Sequence, residues 1–436
     1  MQKKFFSLIV LLIFGAIPFV YTQKFISVQE AIDTALMNHI GLLISRNEAK
    51  IIANNTSRAQ AGMLPSIDLN AGTDFASNTL KQNYSTGGEI NKKGVGTNAN
   101  YAAVIVNWTL FDGSKMFATY HKLKLLKSMS ELQVQMRAEE IILEVTSSYN
   151  DIVRIKNILK GAQQNFTIYE ERVKLSDAKF KIGKSAKTEF LQASVDLNTQ
   201  RNLVSRLQKS LKSGKINLNR IMQRDISNEF EVAEEMDVNE TIVLQDILTK
   251  LENANSQLQQ LRMTEIQRDW ELKEIKSYSY PRLDLNAGYN FSKNSSTQGL
   301  FLENQSYGPS VGLTFYWNLF NGGIQRKQIE NAKIQIENSR LIYQDGMIGL
   351  KAMVADAWHR YRDELELARI EKESLQMAEE NLSISLERLK YSTISILELK
   401  DVQQSFEDSL VRLANANYEA KKAEIELLFL VGGLVK

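Results

Sequence analysis

Asp68-Leu69-Asn70-Ala71-Gly72 returns unchanged as Asp284-Leu285-Asn286-Ala287-Gly288, each copy three residues after a proline, Pro65 or Pro281. In the first copy Ile67, Leu69, Ala71, Thr73 and Phe75 fall on one face of an extended chain, and Asp68, Asn70, Gly72 and Asp74 on the other. That is the period-two pattern of a strand with one apolar side. Working outward, Leu42 matches Leu258, Pro65 matches Pro281 and Phe75 matches Phe291, all 216 residues apart. A second block, Trp108-x-Leu110-Phe111-Asp112-Gly113 against Trp317-x-Leu319-Phe320-Asn321-Gly322, runs at a separation of 209, as does Glu189 against Glu398. The chain is therefore an internal duplication, and only the segment between the two blocks changes length, as a loop between paired strands does.

A return strand follows in each copy. Ala102, Val104, Val106, Trp108 and Leu110 alternate in the first, and Val311, Leu313, Phe315, Trp317 and Leu319 in the second. The predicted strand pairs are 65–76 with 101–111 and 281–291 with 309–320. The span 77–100, rich in Asn, Gly, Ser, Thr and Lys and without periodicity, reads as a solvent-exposed loop.

The rest is helical. A first helix is expected over 27–62, stopping at Leu64-Pro65. Proline-free stretches at 113–182 and 322–391 carry apolar or small residues in steps of three and four, close to the coiled-coil period. About 70 residues at ~1.5 Å each make a rod of roughly 105 Å. Turns around Gly183 and at 391–395 lead into return helices, 187–224 and 396–432, so each rod forms an antiparallel hairpin. The repeats then span 24–242 and 243–436. Between them, Asp225 to Glu240 holds seven acidic residues and no basic one, and 225–242 reads as an irregular connector outside the packed helices.

Composition narrows the function. The 436 residues carry 53 basic and 51 acidic side chains, which excludes a strongly basic nucleic-acid footprint. His39, His121 and His359 have no carboxylate or cysteine at ligand spacing, so neither a metal nor a catalytic base is expected. Gly94-x-Gly96 lacks the third glycine and the helix of a phosphate loop. No enzyme activity and no cofactor are expected. Lys3 and Lys4, an apolar run from Phe5 to Val20 and then Thr22 and Gln23 lay out a signal peptide over 1–23. With no cysteine there is no disulfide and no lipidation at an N-terminal cysteine. Later segments lack a membrane-spanning apolar run, so insertion must be through strands.

Strands of about ten residues with one apolar face and aromatics near the ends match transmembrane β-barrel strands. Four cannot close a barrel, and an open edge in lipid costs several kcal/mol per unpaired group, so several chains must share one. A conducting pore favours three chains or more, since about eight strands leave a lumen filled by side chains.

The helix-Leu-Pro-strand entry, the Trp-x-Leu-Phe-[Asp/Asn]-Gly exit and the far turns, all in duplicate, resemble the TolC-like outer-membrane efflux proteins over about Ser27 to Gly432. The resemblance implies a mainly α fold with transmembrane β: a homotrimer with a 12-stranded outer-membrane barrel and a coiled-coil periplasmic tunnel. It implies export of small molecules or proteins, with a periplasmic adaptor and an inner-membrane transporter of the RND, ABC or MFS class as partners. By the same resemblance Thr188, Glu189, Gln192, Glu398 and Asp401 form the pore gate at the periplasmic tip, where three copies of Glu398 and Asp401 would favour cations. The bland alternative is that these carboxylates simply favour a helix N-terminus. The tip turns Gly183, Lys184, Ser392 and Thr393 would dock the adaptor. Trp108 and Trp317 would sit at the membrane interface, outer-membrane lipid being a further partner. Ile394 and Leu389 replace the family's tip-locking arginine and its partner tyrosine, so any lock must use other contacts. His39 stands where the second copy has Asn255, the family's usual residue. The rival readings are a structural coiled-coil envelope protein, which leaves the apolar strand faces unexplained, and a passive porin, which has no need of the rods.

Overall fold

The computed structural model describes residues 24–434 except 86, 299, 300 and 392. The signal peptide read at 1–23 and the turn residue Ser392 lie outside the described residues. The chain runs β1 (Lys24–Phe25), α1 (Val28–Asn38), α2 (Ile40–Asn55), β2 (Ser66–Asn83), β3 (Glu89–Asp112), α3 (Lys115–Lys181) and α4 (Lys187–Ile221). The same order then repeats as β4 (Phe230–Glu231), α5 (Leu244–Ala254), α6 (Ser256–Ser277), β5 (Arg282–Ser296), β6 (Glu303–Tyr316), α7 (Ile324–Lys390) and α8 (Ile396–Leu430). Long helices α3 and α7 have 67 residues each, and α4 and α8 have 35 each. Among the described residues no helix is long and apolar enough to cross a membrane.

Two compact units divide the chain. One holds residues up to Thr34 with Val145–Asp237 and Glu371–Tyr418; the other holds Ala35–Glu144, Val238–Ile370 and the segment from Glu419 onward.

In the first unit α3 turns its small and apolar seam inward: Val145, Ile152 and Val153 are fully buried, and Ile158 and Ala162 nearly so. A Cβ on Gly161 would lie 2.2 Å from Leu410, so this glycine lets α8 approach α3 closely. A second cluster, Leu382, Leu389, Ile394, Leu399 and Phe406, closes the α7–α8 hairpin.

The acidic connector is not outside the packing. Phe230 and Val232 are buried, and β4 pairs in parallel with β1. The Tyr149 hydroxyl donates to Ile26 O (2.9 Å) and accepts from Ala233 N (3.0 Å), while Lys156 Nζ donates to Val232 O (2.9 Å). The apolar residues at every second position of Phe230-Glu231-Val232 drive the segment inward; its carboxylates stay at the surface or meet lysines, Lys215 Nζ lying 2.8 Å from Glu231.

The second unit carries the four-stranded antiparallel sheet, in the order β2-β3-β5-β6. Here the loop reading of 77–100 fails: β2 and β3 stay paired from Ser66↔Asn107 to Asn83↔Glu89. Alternation vanishes in the sequence because that part is mostly polar on both faces, yet the cross-strand ladder still pairs the backbone there apart from an irregularity at Asn78/Leu80. The opposite error occurs at Trp317 and Leu319. Pro281 has no N–H, so β5 starts at Arg282 opposite Tyr316, and the strand read on to 320 ends there for want of a partner.

The first helix, read as continuous over 27–62, breaks at His39. There the imidazole Nδ1 accepts from Gly41 N (3.1 Å) and caps α2. Asn255 does the same for α6 through Leu258 N (2.8 Å). Histidine thus performs the capping role that asparagine usually takes.

Candidate functional site: the sheet faces and the hairpin tips

Register places residues on sheet faces. Successive rows across β2, β3, β5 and β6 read Ile67–Val106–Ala287–Val311, then Leu69–Val104–Tyr289–Pro309, then Ala71–Ala102–Phe291–Tyr307. On one side the band continues through Trp108–Leu285–Leu313 and Phe111–Leu283–Phe315. On the other it stops at Thr73–Asn100–Lys293–Gln305. Leu283 to Phe291 at about 3.4 Å per residue, tilted about 40°, makes an apolar band of roughly 21 Å, close to the ~25 Å band of outer-membrane barrels. The side chains are bare in the single chain: Val311 is 76% exposed and Leu69 73%. The opposite face carries Asp68, Asn70, Asp74, Asp284 and Asn286 among glycines and serines, with Ile105, Ala103 and Tyr101 of β3, a more polar surface than the first.

Both predicted interface tryptophans anchor this sheet to the chain entering it. Trp108 Nε1 donates to Met63 O (3.0 Å) and Trp317 Nε1 to Ser279 O (3.2 Å), each acceptor two residues before the strand-opening proline. The indole thus clasps the entry and exit of each strand pair while its ring remains half-exposed.

In the first unit the tip residues lie at the ends of the helical hairpins. Gly183 has φ +73° and closes α3: its N–H donates to Phe180 O (2.9 Å) and Lys184 N–H to Lys179 O (2.8 Å). This is a Schellman stop, which glycine accommodates without strain. Thr393 N–H reaches back to Arg388 O (3.0 Å) in the same manner after α7. Thr188, Glu189, Gln192, Glu398 and Asp401 are all exposed. Glu398 is also a cap: its Oε2 accepts from Ser395 N (3.3 Å), and Glu398 N donates to Ser395 Oγ (3.1 Å). Leu389 and Ile394 are buried together in the apolar cluster at the base of this turn.

A polar network behind the tip escaped the sequence reading. The Arg172 side chain is 1% exposed, pairs with Asp196 and donates from Nη1 to Gln403 Oε1 (2.9 Å). Lys400 Nζ (3.1 Å) and Gln192 Nε2 (2.9 Å) also reach Asp196 Oδ1. α3, α4 and α8 are thereby tied together. Burial pushes the Asp196 carboxyl up, but the hydrogen bonds from Lys400 and Gln192 and the Arg172 charge outweigh it and hold the pKa below the ordinary aspartate range. The only signal in the sequence is an arginine standing between Tyr169 and Ser176 in an otherwise small and apolar seam.

Nearby, Glu407 is raised above the ordinary glutamate range by burial, against the hydrogen bond it accepts from Asn165. The Asn165 Oδ1 atom is buried without a donor. A raised carboxyl pKa means that the folded state binds the proton more tightly. The contribution is therefore full below the ordinary range and lost as pH rises through the raised value. Glu407→Gln removes the buried charge and adds an N–H that can reach Asn165 Oδ1. Thermal unfolding near pH 7 should show a gain of about 1 kcal/mol, shrinking below the glutamate range, where wild-type Glu407 is uncharged as well. A gain that persisted unchanged in acid would refute the buried-charge account.

The sheet with one apolar face, joined to long helical hairpins, defines an outer-membrane channel of the efflux type. The outer membrane efflux protein family matches over residues 31–223 and 247–433, and the chain belongs to that family. It is 20% identical over 378 residues to Outer membrane protein TolC of Escherichia coli (strain K12), covering 83% of this chain and 73% of that protein. Among solved structures it is similar to VceC of Vibrio cholerae, at TM-score 0.73 and 16% identity, covering 93% of this chain and 96% of that one. It is also similar to the CmeC outer membrane channel of Campylobacter jejuni, at TM-score 0.75 and 16% identity, covering 93% and 85%. Among the described residues no cluster of three or more histidines, cysteines or carboxylates could hold a metal.

Proposed function

We propose that this efflux channel works as a homotrimer whose three sheets close one 12-stranded barrel, with the helices forming a periplasmic tunnel. The observation that carries the reading is the sheet itself: an apolar band on one face, with β2 and β6 left as open edges. In a bilayer those edges need partners, and two further copies supply them without any new element. In this reading the channel takes small molecules or proteins from an inner-membrane transporter of the RND, ABC or MFS class. A periplasmic adaptor docks at the turns with Gly183, Lys184, Ser392 and Thr393. Thr188, Glu189, Gln192, Glu398 and Asp401 form the gate, and energy comes from the transporter.

The test is direct. Protein extracted from outer membranes should migrate as a heat-resistant trimer and conduct in planar bilayers, and a soluble monomer would defeat the proposal. Asp401→Asn combined with Glu189→Gln removes six carboxylates from a trimeric rim and leaves the Glu398 cap intact. Its cation-over-anion permeability ratio should fall severalfold, and an unchanged ratio would remove these residues from the gate.

A further inference from the structure

Where β3 gives way to α3, a groove of about 380 Å³ opens beside the last turns of α6. Phe111, Phe117, Trp270 and Tyr280 line it together with Lys273 and Lys276. We propose that this groove binds the headgroup of an anionic phospholipid from the leaflet on the helical side of the membrane. The inference rests on the reading that the apolar sheet face meets lipid.

Position is the first argument. Phe111 belongs to the last apolar row, opposite Leu283. The groove therefore begins where the apolar band ends, on the same face, and acyl chains on the band would bring a phosphate to its mouth. Charge is the second. Lys273 and Lys276 stand one turn apart on α6, both exposed. Two of the carboxylates on the same helix are engaged elsewhere, Glu274 by Lys122 and by Thr119 Oγ1 (2.6 Å), and Glu271 by Arg268 (2.7 Å) and Gln267 (2.9 Å), while Asp269 lies one turn before Lys273. Among the described residues neither Lys273 nor Lys276 has an ion-pair partner, and Lys273 Nζ rests 3.6 Å from the centroid of Trp270. Trp270 is itself stacked on His121 with centroids 4.5 Å apart, which fixes the aromatic floor under that ammonium group. An exposed aromatic wall with two cations without an ion-pair partner at its rim suits a lipid phosphate with its glycerol and upper chain.

The corresponding groove below β6 is a built-in contrast. Its Arg326 pairs with Glu330 (3.3 Å), which also holds the neighbouring Lys327 (2.8 Å), so that Lys333 is its one lining cation without an ion pair among the described residues. It also lies at a sheet edge rather than beneath the interior strands.

The full-length protein is reconstituted into vesicles of phosphatidylethanolamine with one-fifth phosphatidylglycerol, and co-purifying lipid is counted by native mass spectrometry. Wild type should retain phosphatidylglycerol over phosphatidylethanolamine. Lys273→Ser with Lys276→Ser should lose that preference by about tenfold, given the pull of each basic side chain on an anionic leaflet. Arg326→Ser with Lys327→Ser should keep it, as should Lys273→Arg with Lys276→Arg. Equal retention of the two lipids by wild type, or undiminished preference in the double serine variant, would overturn the site even while the protein inserts normally. Failure of wild type to enter vesicles at all would instead strike the membrane reading on which the site depends.

Discussion

An arginine at Val106 should empty the membrane fraction of this protein. Val106 sits in the middle of the five apolar rows, on an interior strand between Ile67 and Ala287. A cation at the midplane of a barrel's lipid face costs about 2–4 kcal/mol per chain, and the cost is paid three times in a trimer. Asn70→Arg is the matched control: it adds the same charge on the other face, three places along the ladder, opposite Ala103. Val106→Arg is expected to reduce heat-resistant oligomer in outer membranes at least tenfold, whereas Asn70→Arg should assemble and alter conductance. Equal assembly of the two would mean that the apolar rows do not face lipid.

Arg172→Leu is the second large effect. The guanidinium is nearly inaccessible, and its loss leaves Asp196, 10% exposed, with Lys400 and Gln192 as its remaining donors. Removing one partner of a buried pair typically costs about 3–5 kcal/mol, and the remaining lysine argues for the lower end. Hydrogen exchange along α3 and α4 near the tip should rise accordingly. Arg172→Met with Asp196→Leu should recover much of the loss, because no charge is then stranded. The wild-type contribution has a definite pH sign. Since the folded-state pKa of Asp196 is depressed, the contribution is present above the ordinary aspartate range and lost as pH falls through the lower folded value. A single variant within about 0.5 kcal/mol of wild type, the scatter of ordinary surface changes, would show the network to be ornamental.

What the sequence discloses follows from which patterns burial leaves behind. The apolar rows are legible because one wet face and one dry face impose a period of two, as in Leu283, Leu285, Ala287 and Tyr289. Beyond Phe75 the strands continue without that asymmetry, so composition pointed to a loop where the backbone forms a ladder. At the connector, seven carboxylates masked two apolar residues, Phe230 and Val232, that decide its course. The break at His39 depends on one ring nitrogen accepting from one N–H, which no periodicity records. Arg172 interrupts the seam pattern, and only its partners on α4 and α8, far away in the chain, turn the interruption into a junction.

The β2–β3 ladder outlasts its last apolar row, at Ala71, by twelve residues on β2 and reaches Asn83. In the proposed membrane placement, the cell presents a stiff two-stranded ribbon to its surroundings at this point. An antibody raised against it would read side-chain rows in fixed order, and a short affinity tag is best grafted at Gly87 and Gly88. Both glycines have positive φ, so the tag is inserted between them and both are kept.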